Sequence, residues 1–76
     1  MNADRRKRIA EAREALAEII SDLEEVASEE RDAFDNLPEA LQEAERGQAM
    51  EAAADILDEA VSGLGDALDL LIGVDR

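Results

Sequence analysis

From residue 9 onward, apolar positions recur as Ile9, Ala12, Leu16, Ile19, Leu23 and Val26, followed by Glu30 and Ala33, in alternating steps of three and four. This is a heptad seam with one polar interruption, Glu30, and it predicts a helix over about 4–34. Nothing in that span breaks a helix, and Ala, Glu, Leu and Arg are strong helix formers. A weaker column flanks the seam: Ile20, Ala27 and Phe34, with Arg13 at its start.

The second half repeats the spacing through Met50, Ala53, Leu57, Ala60, Leu64, Ala67, Leu71 and Val74. It predicts a second long helix over about 48–73. Large and small residues alternate on this seam. Ala53, Ala60 and Ala67 are expected to let two backbones approach closely in an antiparallel pair. Both flanks are also apolar: Ala54, Val61 and Leu68 on one side, and Ala49, Ile56, Gly63 and Leu70 on the other. A helix with so broad an apolar face needs more than one neighbour.

Between the halves lies "DNLPEALQEAERGQAM", residues 35–50, with the sole Pro and the first Gly. Asn36 can cap a new helix, Glu39 completes a capping box, and Pro38 fits the first turn. Leu37, Leu41 and Ala44 follow at helical spacing. Their phase disagrees with that of Met50 and Ala53, so the chain must break between them. Gly47 is the natural place. The expectation is a short helix over about 37–44, a turn at 45–47, and a plug of Phe34, Leu37 and Leu41 closing one end.

The fold class expected is all-α: an antiparallel hairpin of two long helices with a short corner helix, forming a single domain over 1–76. Two helices meeting once leave apolar surface uncovered, which soluble proteins seldom tolerate. Dimerisation into a four-helix bundle covers it, and a hetero-complex would do the same. The expected oligomer interface is Leu57, Ala60, Val61, Leu64, Ala67, Leu68 and Leu71.

Composition narrows the chemistry. The chain has 76 residues with no Cys, no His and one aromatic, Phe34. Disulfides, thiolate metal sites, the usual zinc ligands and the usual general base are thereby removed. No apolar run approaches the roughly 20 residues of a membrane span. The charged N-terminus lacks the apolar stretch of a secretion signal, and a cytoplasmic location is expected.

The net charge is −13. Residues 1–13 carry five cations against two acids, a net of +3. Residues 14–76 carry three cations against nineteen acids, a net of −16. Cations in the first turns oppose the helix dipole. Antiparallel pairing would place them beside the C-terminal end of the second helix, near Asp66, Asp69 and Asp75. A basic tip that contacts nucleic acid or acidic lipid is the alternative. Five cations beside −16 make a poor phosphate binder at physiological salt, so neither direct nucleic-acid nor membrane binding is expected.

The acids lack the Gly-punctuated loop of a calcium site and the Glu-x-x-His of di-iron bundles. No catalytic, cofactor-binding or metal-ligating residue is assigned. Ser21, Ser28 and Ser62 have no base, and the sole Lys is Lys7. Glu30 is expected near the corner, paired with Arg31 or Arg46.

Asn36, Leu37, Pro38, Glu39, Leu41, Gln42, Glu45, Arg46, Gly47, Ala49 and Met50 resemble a core found in small acidic helical proteins of phages, prophages and bacterial mobile elements. These share a basic start, a Glu-rich first helix and an Ala/Leu/Asp second helix. The resemblance covers about a third of the chain closely. Ala44 departs from it, standing where a small hydroxyl residue commonly precedes the second helix. The family has no assigned activity, so no site residues carry over.

Two functions compete. In the first, the chain is a non-enzymatic interaction protein that modulates or inhibits a basic partner protein, imitating a nucleic acid through an acidic row: Glu18, Asp22, Glu25, Glu29 and Asp32. In the second, it is a structural or assembly protein whose role is homo-oligomeric association, through Val61 and Leu68 or through Ile56 and Leu70. An enzyme or metal protein is a distant third.

Overall fold

The computed structural model describes residues 1–74. It is all-helical, with two long helices and a short one in the order α1 (Ala3–Asp35), α2 (Glu39–Gln42) and α3 (Glu45–Val74). α1 and α3 pack antiparallel into a rod of 58 × 14 × 13 Å. The radius of gyration is 17.3 Å, whereas a compact chain of this length has about 11 Å.

α1 begins at Asn2, whose side-chain oxygen accepts a hydrogen bond from the Arg5 backbone N–H at 2.8 Å. This satisfies one of the unpaired amides at a helix start. Helix α1 ends where Pro38 disfavours helical geometry in the residue before it. Asn36 closes α1 instead of opening α2: its N–H donates to the Asp32 carbonyl at 3.1 Å. Pro38 takes the N-cap position of α2 without a side-chain cap bond.

The corner is held by shared carbonyls. Phe34 O accepts from the Leu37 N–H at 3.0 Å and from Gln42 Nε2 at 3.0 Å. Pro38 O accepts from the N–H groups of Leu41 at 2.8 Å and Gln42 at 3.1 Å. Phe34 and Leu37 are half-buried there, but Leu41, expected in the plug, is exposed. Gln42, one residue on, turns inward in its place.

The break falls at Glu43–Ala44 and not at 45–47. Gly47 lies inside the first turns of α3, buried, and no glycine among the described residues has a positive φ. Its role is close approach. A Cβ there would lie 2.5 Å from the Leu41 carbonyl oxygen and 2.4 Å from that of Gln42. Ala44 directly precedes α3 and has no side chain able to cap it.

Which face each helix turns inward also differs from expectation. On α1 the covered stripe is Ile9, Arg13, Leu16, Ile20, Leu23, Ala27, Glu30 and Phe34. Ala12, Ile19, Val26 and Ala33 are exposed. On α3 the covered stripe is Gly47, Met50, Ala54, Leu57, Val61, Leu64, Leu68 and Leu71, while Ala53, Ala60 and Ala67 are exposed. In both helices the column taken as a flank supplies half the seam. On α3 the reason is volume: Val61 and Leu68 fill the space between helices better than Ala60 and Ala67 do, and on α1 Phe34 does so in place of Ala33. Ala27 and Ala54, the only apolar side chains fully buried among the described residues, let the backbones approach.

Candidate interaction surfaces

The two sides of the rod differ in chemistry. The side formed by residues one position after the seam is polar. Arg31 follows Glu30, and Asp55 and Asp58 follow Ala54 and Leu57. These three meet: Arg31 Nη1 donates to Asp58 Oδ1 at 3.2 Å, Arg31 Nη2 to Asp55 Oδ1 at 3.4 Å, and Nη2 also to Asp58 Oδ2. The hydrogen bond from Asp58, with the charge of both carboxylates, raises the guanidinium pKa further above its already high range. Arg31 therefore ties α1 to α3 and does not pair with Glu30. The signal in the sequence was available, since Arg31 is the sole cation between residues 14 and 45 and Asp55 and Asp58 are one turn apart.

The opposite side, one position before the seam, carries an apolar column, bordered on α1 by Asp22 and Glu29 of the acidic row. Ile19 and Val26 of α1 stand there with Ala53, Ala60 and Ala67 of α3. Ile56, 65% exposed, and Leu70, 74% exposed, extend it round α3. Of the residues expected at an oligomer interface, Leu57, Val61, Leu64, Leu68 and Leu71 are half-buried on the face of α3 that α1 covers, and Ala60 and Ala67 are exposed.

The acidic row lies on the outer surface of α1, across the helix from the seam. Glu18, Asp22, Glu25, Glu29 and Asp32 are all exposed, and none is in an ion pair among the described residues. The fourteen helical steps from Glu18 to Asp32 make a row about 21 Å long.

At the other end of the rod, Asp4 and Arg8 form an i, i+4 pair at 3.7 Å. Asp66 and Asp69, expected beside the basic first turns, form no ion pair with them among the described residues. Asp75 lies outside those residues. Among the described residues no three or more acids converge as metal ligands and no pocket is found. No helix there is long and apolar enough to cross a membrane.

No protein-family model, curated protein or solved structure matches the chain.

Proposed function

We propose that the chain is a non-enzymatic interaction protein that works as a homodimeric four-helix bundle and docks its acidic rows on a basic protein surface, modulating or inhibiting that partner. The observation that carries this reading is the row Glu18, Asp22, Glu25, Glu29 and Asp32: five carboxylates, exposed and without ion-pair partners among the described residues, spaced along one line. Such a line resembles the charge repeat of a nucleic-acid backbone and attracts surfaces built to bind one. The resemblance of residues 36–50 to small acidic phage and prophage proteins supports the same reading, and a cytoplasmic location accords with it.

Affinity capture with washes of rising NaCl tests it. The bound protein should be basic and should leave at a few hundred millimolar salt, because contacts between exposed charges are screened beyond about 8 Å at physiological ionic strength. Charge reversal of Glu18, Asp22 and Glu25 to Lys should abolish capture. Retention by that triple variant would rule the acidic row out.

A second reading, association as the function itself, is favoured by the exposed apolar side of the rod. Under it, the assembled bundle is the product and persists in high salt.

A further inference from the structure

We infer that the apolar side of the rod is the seat of a second copy of this chain, paired through α3 about a two-fold axis near Gly63. This rests on the homodimer proposed above and identifies its surface, which is not the one the heptad seam pointed to. Leu57, Val61, Leu64, Leu68 and Leu71 are occupied within the hairpin. What remains open is the other flank of α3 and the column of α1 beside it.

The two helices place that surface on one side of the rod. Antiparallel packing reverses a helix's direction and its facing together, so residues one before each seam share a side, and residues one after share the other. The contact of Arg31 with Asp55 and Asp58, all one after, confirms the rule on the polar side. Ile19, Val26, Ala53, Ala60 and Ala67, all one before, therefore form a common face with Ile56 and Leu70 at its edge.

Area is sufficient for a second copy. The chain exposes 5606 Å². A compact monomer of its 8.3 kDa exposes about 4,600 Å². The excess is about 1,000 Å² per chain, or about 2,000 Å² per pair, within the range of stable dimers. A closed two-fold dimer removes this excess equally from both chains with one self-complementary patch.

Charge agrees. A copy carrying −13 can approach only where no carboxylate is trapped. On α3 the column Ala49, Ala53, Ile56, Ala60, Gly63, Ala67, Leu70 and Val74 spans 26 positions without a charge, in a chain that is 38% charged. On α1 the acidic row borders this face through Asp22 and Glu29, one before Leu23 and Glu30, which places the contact between copies on α3.

Shape fixes the axis. Ile56 and Leu70 stand seven residues either side of Gly63. In an antiparallel α3–α3 pair centred there, Ile56 of each copy comes level with Leu70 of the other, and the two glycines face each other. A Cβ on Gly63, as on Gly65 and Gly73, would meet nothing within 4 Å of the hairpin; at the middle of the uncharged column its missing side chain leaves room for a second backbone.

Sedimentation equilibrium and cysteine cross-linking test the assignment. The wild type should sediment at twice the chain mass at micromolar concentration. Ile56→Glu with Leu70→Glu should raise the dimer dissociation constant at least about a hundredfold, and Gly63→Leu at least about tenfold. Gly63→Cys should form a disulfide-linked pair under mild oxidation, and Ser62→Cys, on the polar side, should not. Should the double Glu variant lose its helical signal, the cysteine pair decides. A monomeric wild type, a dimer indifferent to these substitutions, or equal cross-linking at 62 and 63 overturns the proposal. Capture of a basic partner by a monomeric chain would leave the acidic-row reading standing while this one fails.

Discussion

Gly47 sits so close to the carbonyl oxygen of Gln42 that a Cβ on it would lie 2.4 Å away. The obstacle is backbone at the end of α2 and cannot rotate aside. Within a helix, Gly→Ala ordinarily stabilises by about 1 kcal/mol. Here the sign reverses. Gly47→Ala should cost roughly 1–3 kcal/mol, as overpacking does. Gly65→Ala is the control, since a Cβ there meets nothing within 4 Å. It should raise the melting temperature. Thermal unfolding followed by far-UV circular dichroism reads both, and a stabilised Gly47→Ala would refute the close corner.

Arg31 is the only side chain seen bridging α1 to α3 by charge among the described residues. Arg31→Met should lower the melting temperature while keeping the stem that packs along the helix. The loss should shrink near 1 M salt, where screening reaches about 3 Å. Arg31→Lys should recover only part of it, because an ammonium lacks the planar fork that reaches two carboxylates. On pH the sign is that of a cation gaining anionic partners. The raised pKa of Arg31 makes its contribution fully present below the ordinary guanidinium range, lost only as pH climbs through the raised value. Titration of this Arg should therefore add no slope to stability across neutral pH.

Asn2 caps a helix whose first turns carry Arg5, Arg6, Lys7 and Arg8, charges that oppose the helix dipole. Asn2→Ala should cost about 1 kcal/mol. Amide exchange should speed up over the first two turns of α1 and stay unchanged at the corner. Uniform change along the chain would contradict a local cap.

Salt should act with opposite signs on the two proposed surfaces. Screening relieves repulsion between copies of charge −13, so dimerisation should tighten as NaCl rises. Capture of a basic partner by Glu18, Asp22 and Glu25 should weaken over the same range. Measuring both in one titration separates the surfaces, and parallel salt dependence would mean that a single surface serves both.

The helices were legible from spacing because heptad periodicity survives regardless of which neighbour covers the face. Pro38 marked the corner because it lacks an N–H and restricts Leu37. The acidic row was legible too, since carboxylates without cations at i±3 or i±4 stay in water. The corner's bonding was not. Gln42 reaches back eight residues to Phe34 O, and Gly47 answers to α2 and not to a turn of its own. Neither relation has a period along the chain.

The sequence by itself determined two long helices, a break near Pro38, an acidic outer row and apolar faces wider than one neighbour can cover. Only the tertiary structure decided which half of each face turns inward. Leu16, Leu23 and Glu30 belong equally to a seam with Ile19 and Val26 or to one with Ile20, Ala27 and Phe34. Periodicity is blind to that choice, because both columns obey it. Packing volume between the helices, the close corner at Gly47 and the bridge from Arg31 to Asp55 and Asp58 select one. All three join residues far apart in the chain, and the column left over faces outward.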